Sequence, residues 1–96
     1  MAARLDDAQI AEALAALPSW KREGDAITRQ HRSETYRAAV RLVVRIADLA
    51  EGANHHPDLA LSWTSLRISL STHDAGGITS RDVHLARCIE DVLTEE

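Results

Sequence analysis

One amphipathic stretch constrains this chain more than any other: "SETYRAAVRLVVRIADLAEGA", residues 33–53, bracketed by two pairs of short extended runs. Tyr36, Val40, Val43, Ala47 and Ala50 recur at helical spacing, and Leu42, Ile46 and Leu49 widen the apolar face. Arg37, Arg41, Arg45 and Asp48 lie mostly on the other side. Ser33 is the expected N-cap, and the helix frays near Gly52. So broad an apolar face needs a second layer to cover it.

The flanking runs supply that layer. Upstream, "DDAQIAEALAAL" reads as a helix capped by Asp6, with Gln9 completing a capping box, a stripe of Ile10, Leu14 and Leu17, and Pro18 as its stop. "WKREGDAITRQHR" then reads as a hairpin turning at Gly24-Asp25, with Ile27, Arg29 and His31 on one face and Thr28, Gln30 and Arg32 on the other. Downstream, "LALSW" and "SLRISLSTH" read as two strands around Thr64, the second pointing Leu66, Ile68 and Leu70 one way and Arg67, Ser69, Ser71 and His73 the other. After the loop "DAGG", "TSRDVHLARCIEDVL" forms the last helix, with Thr79 as N-cap, Asp82 at N3, and Val83, Ala86, Ile89 and Leu93 buried.

The order α-β-β-α-β-β-α, two hairpins around one helix, predicts an α+β fold: a four-stranded antiparallel sheet with three helices packed on one face. The uncovered face carries many polar side chains and is either solvated or a binding surface. With no repeat or linker, residues 1–96 are expected to form a single domain. Only Trp20, Trp63 and Tyr36 are aromatic, so the mostly aliphatic core buries less area per residue, which favours self-association.

Several function classes drop out. A net charge of -4 argues against a nucleic-acid surface. No apolar run reaches membrane-spanning length, and "MAARLDDAQIAEAL" has acids where a secretory signal needs an apolar core. The lone Cys88 fits a reducing cytoplasm and is expected to be a small buried hydrophobe. There is no CxxC, HExxH, phosphate loop or GxSxG elbow, so no metal site or serine nucleophile is expected.

The chemistry-bearing feature is "EGANHHPDLALSW", residues 51–63. Adjacent side chains diverge on regular elements, and Pro57 disfavours helical geometry at His56. His55 and His56 are therefore either polar loop residues or two sides of a pocket at a turn. His73 follows in the chain, with Trp63 between, while His31 and His84 read as ordinary surface positions. Groups that titrate near neutrality suit addition or elimination of water.

Glu51, His55-His56-Pro57, Trp63, His73 and Asp82, in that spacing, resemble the signature of pterin-4a-carbinolamine dehydratases, also called 4a-hydroxytetrahydrobiopterin dehydratases. "LPSW", "SLST" and "AGGITSRD" agree, and the resemblance runs from about Leu5 to Leu93. It departs at Leu59 and Asn54, where several members carry an aromatic residue and some carry Asp. The resemblance implies dehydration of 4a-hydroxytetrahydropterin to quinonoid dihydropterin, recycling the pterin of aromatic amino-acid hydroxylases, with no metal or prosthetic group. It makes His55 and His73 the acid–base pair, one protonating the leaving hydroxyl and the other taking the N5 proton, and has His56 orient the pterin. Glu51 and Asp82 would orient a histidine or bind polar pterin edges, and Trp63 would form a wall. It further implies a homodimer or homotetramer and a functional link to a hydroxylase. The alternative on the same fold is a non-catalytic binding module, a dimerisation cofactor or assembly factor, which would be expected to lose the histidines. A metal-dependent hydrolase ranks far below both.

Overall fold

The computed structural model describes residues 2–96. Its elements are α1 (Asp7–Ala15), β1 (Lys21–Glu23), β2 (Ala26–Arg32), α2 (Tyr36–Ala53), β3 (Asp58–Ser62), β4 (Ser65–Leu70), a 3-10 turn (His73–Ala75) and α3 (Ser80–Thr94). The expected order is the observed one. The four strands form one antiparallel sheet in the order β1-β2-β4-β3. Pairing Ile27 with Leu70, Arg29 with Ile68, and Leu59 with Ile68 sets these side chains on a common face of the pleat. Ile27, Leu66, Ile68 and Leu70 are fully buried there beneath Leu42 and Ile46 of α2 and Leu85 and Ile89 of α3. Burying a side chain of this size stabilises by roughly 1.5–3 kcal/mol.

Gly24 supplies the left-handed backbone (φ 62°) that the short β1–β2 turn requires. Asp6 caps α1 and Thr79 caps α3, each inside a capping box, as the sequence predicts.

Four expectations are corrected. The N-cap of α2 is Thr35, whose side chain accepts the Ala38 N–H at 3.1 Å. Ser33 is still on the extended path, held by its N–H to Thr64 O at 2.9 Å, and cannot cap. The buried row of α2 is Ala39, Leu42, Ile46 and Ala50, whereas Tyr36, Val40 and Ala47 are exposed, as is Val44. Two apolar rows run along this helix, and the sheet and α3 cover only one. His73 sits on the 3-10 turn, because β4 ends at Leu70 and Gly76 (φ 72°) reverses the chain. Cys88 is half-exposed, its sulfur 3.9 Å from His84 Nε2 one turn earlier on α3.

Arg29 and His31 point to the helix side at the end of the sheet where α3 finishes. There Arg29 Nε meets Glu90 at 3.0 Å and His31 Nε2 meets Glu96 at 2.8 Å. No helix among the described residues is long and apolar enough to cross a membrane.

Candidate functional site

The end of α2 determines where the adjacent histidines go. Asn54 takes the left-handed C-cap conformation (φ 49°, ψ 44°), one that Asn tolerates better than most residues. Its N–H and that of His55 satisfy carbonyls of the last helical turn, His55 N–H reaching Ala50 O at 3.1 Å. Pro57 then keeps His56 out of the helical region. The two imidazoles leave in opposite directions.

His55 turns inward. Its Nε2 lies 2.5 Å from Asp82 Oδ1, with His55 8% exposed and Asp82 fully buried. Asp82 Oδ2 accepts from the Thr72 hydroxyl at 2.7 Å and from the Thr79 N–H at 2.9 Å. A buried carboxylate is costly unless its lone pairs are filled, and here three donors fill them. Capping α3 and holding His55 are two jobs of one side chain, as the capping box and the resemblance each suggest.

His56 turns outward and meets Glu51 Oε2 at 2.5 Å, both side chains being mostly solvent-exposed. His73 enters from the other side. The chain from β4 is clamped by reciprocal Thr72–Gly77 backbone hydrogen bonds of 2.9 and 3.3 Å, which present the 3-10 turn beside the end of α2. Arg81 ties the start of α3 to the same place through Asn54 O at 2.7 Å.

His55, His56 and His73 thus line one open cleft of about 260 Å3, together with Ser71, Thr72 and Arg81. This is near the lower end of the roughly 300–1,000 Å3 typical of small-molecule sites. Two larger recesses, of about 480 and 540 Å3, flank α1. Neither contains a hydrogen-bonded histidine–carboxylate pair, and a third recess of about 340 Å3 at the end of α3 holds one such pair, His31–Glu96 at 2.8 Å, with no second histidine. No group of three or more His, Cys, Asp or Glu able to hold a metal occurs among the described residues.

Of the six residues singled out in the sequence, the cleft gathers His55, His56 and His73, with Asp82 buried behind His55 and Glu51 flanking His56. Trp63 is elsewhere. It occupies the β3–β4 turn at φ 53° and 70% exposure, and does not line the cleft. The five residues of β3 separate it from the histidine turn by roughly 16 Å of strand. Sequence reasoning missed Thr72, Arg81 and Asn54 as parts of the site. For Thr72 a signal existed: it continues the inward phase of Leu66, Ile68 and Leu70, and a polar residue at an inward position needs a partner.

The class these features define is a sheet-and-helix α+β protein with a histidine–carboxylate cleft where two helix ends meet the sheet. The family described as pterin 4 alpha carbinolamine dehydratase matches residues 3–92. A provisionally named pterin-4-alpha-carbinolamine dehydratase of Nocardia farcinica is 50% identical, covering 92% of this chain and 93% of its own. A relative of the same provisional name from Thermomicrobium roseum is 47% identical over 96% and 99% of the two chains. The chain belongs to the pterin-4-alpha-carbinolamine dehydratase family. Among solved structures, a transcriptional coactivator/pterin dehydratase from Brucella melitensis superposes with a TM-score of 0.90 at 29% identity, covering 94% of this chain and 98% of that one. A pterin dehydratase-like RuBisCO assembly factor of the alpha-carboxysome shares the fold, with a TM-score of 0.67 at 18% identity over 78% of this chain and 89% of its own.

Proposed function

We propose that this protein dehydrates 4a-hydroxytetrahydropterin to quinonoid dihydropterin and water. The reading is supported by one observation above the others: three histidines line one cleft, and one of them is anchored to a buried carboxylate. In this reaction the N5 lone pair forms the N5=C4a double bond while the C4a–O bond breaks. The departing oxygen takes one proton to become water, and N5 gives one up, so only proton exchange is asked of the protein. His55 and His73 serve as the acid–base pair, a positioned group of this kind being worth about 100-fold or more in rate. His56, oriented by Glu51, holds the pterin, and Asp82 acts through His55. Trp63 could form a wall only for a cleft of another copy, since its own lies a strand away. The reading needs no metal or prosthetic group. It makes the protein a cytoplasmic homodimer or homotetramer that recycles the pterin of an aromatic amino-acid hydroxylase.

A second reading is favoured by the exposed row Tyr36, Val40 and Val44 on α2 and by exposed Trp63. On it the chain is a non-catalytic binding module, a role of the kind carried in the names of the two solved relatives. Stopped-flow absorbance of enzymatically generated 4a-hydroxytetrahydropterin separates the two. Dehydration faster than the spontaneous rate, largely lost in His55→Ala and His73→Ala, is the expected result. A rate equal to the spontaneous one would leave the binding module.

A further inference from the structure

We infer that Thr72 is a positioning residue that, through Asp82, fixes the tautomer of His55, so that the ring exchanges protons with substrate only at Nδ1. A carboxylate accepts and does not donate. Asp82 Oδ2 takes the Thr79 N–H at 2.9 Å and the Thr72 hydroxyl hydrogen at 2.7 Å. Having given its one hydrogen to Asp82, Thr72 must accept at its 2.8 Å contact with Thr79 Oγ1. Thr79 therefore donates its own hydroxyl hydrogen to Thr72, and its oxygen accepts the Arg81 N–H at 3.2 Å. Every hydrogen in this buried chain points toward Asp82, and reversing the Thr72–Thr79 bond would leave the Thr72 oxygen, an acceptor, facing the Asp82 carboxylate, another acceptor.

Oδ1 is then left for His55. At 2.5 Å from a group that only accepts, His55 Nε2 carries the hydrogen, whether the ring is neutral or cationic. The nitrogen free to gain or lose a proton is Nδ1. Among the described residues no buried side-chain nitrogen or oxygen lacks a partner, and His55 lines the cleft, so Nδ1 meets the cleft rather than the core. Thr72 itself is held rigidly, 5% exposed and clamped to Gly77 in both directions. Among the described residues its hydroxyl is the only side-chain group besides His55 that fixes the rotation of the carboxylate.

The inference deepens the proposed dehydration and rests on it only for kinetics. The test is long-range 1H–15N correlation of histidine-labelled full chain, on wild type, Thr72→Val and Thr72→Ser, with dehydration kinetics alongside. Wild type is expected to show neutral His55 as the Nε2–H tautomer, with Nδ1 at the shift of a lone-pair nitrogen. Thr72→Val should mix the tautomers and lower kcat about 10-fold, a fraction of the 10²–10⁴-fold worth of a positioned acid–base group. KM should move less than about twofold, since binding is not the affected step. Thr72→Ser should keep the tautomer and the rate. A hydrogen on Nδ1 in wild type overturns the inference without any variant, as does a folded Thr72→Val with unaltered tautomer and kcat. A wild type that shows the expected tautomer but no dehydration would remove the proposed function and leave the hydrogen-bond assignment standing.

Discussion

Two histidine–carboxylate pairs sit one residue apart at the end of α2, with the same 2.5 Å contact. His55–Asp82 is sealed, with side-chain exposures of 9% and 0%, whereas His56–Glu51 is open at 57% and 76%. The distance says nothing about which pair is structural. In water, exposed ion pairs typically contribute about 0–1 kcal/mol, because solvent and salt screen them and both side chains lose freedom. Inside the protein the interaction is stronger, but so is the penalty for leaving either partner unpaired. The buried pair is therefore rigid and costly to break, and the open pair is adjustable. A third pair lies between them: Arg29–Glu90, with exposures of 15% and 21% and a Trp20 indole N–H on the same carboxylate oxygen at 2.8 Å.

The largest expected effect comes from Asp82→Ala, which strips His55, Thr72 and the Thr79 N–H of their acceptor and removes half of a capping box. Urea unfolding should show a loss of about 3–5 kcal/mol, as for other broken buried pairs. A loss below about 1 kcal/mol would mean that water replaces the carboxylate and that the two pairs do not differ in kind.

Glu90→Gln is expected to cost about 1.5–3 kcal/mol near neutral pH, the range for a hydrogen bond to a charged group. The hydrogen bond from Arg29 is the largest influence on Glu90 and holds its carboxyl below the ordinary glutamate range, against the opposing effect of burial. A carboxyl lowered by folding contributes stability above its unfolded value, and that contribution is lost as pH falls through the folded one. The gap between wild type and Glu90→Gln should therefore be full at neutral pH and shrink on acidification. A gap that stays constant from neutral pH into the acid range would assign the cost to packing alone.

The smallest effect is expected for Glu51→Gln, with unfolding free energy within about 0.5 kcal/mol of wild type. The His56 ring, followed by NMR relaxation, should become more mobile as salt rises, while the His55 resonances stay put. A salt-sensitive His55 would break the comparison from the other side.

The sheet, its order of elements and both capping boxes were legible because they rest on local rules. Alternation along β4, the 3.6-residue period and cap residues at fixed offsets act within a few neighbours. Which apolar row of α2 is buried was not legible, since Tyr36–Val40 and Leu42–Ile46 are equally periodic and only packing against the sheet and α3 chooses. The cap of α2 moved from Ser33 to Thr35 for a similar reason: a partner strand's turn at Thr64 holds Ser33 extended.

By itself the sequence determined the three histidines, the turn at Asn54–Pro57 that splits the adjacent pair, and Asp82 at N3 of α3 behind Thr79. Tertiary structure alone decided that His55 and not His56 reaches Asp82, that Thr72, just beyond β4, closes the hydrogen-bond chain, and that Trp63 lies a strand away. These contacts join residues 10 to 27 positions apart. No local rule sets such distances, because they depend on how α2, α3 and β4 pack against one another.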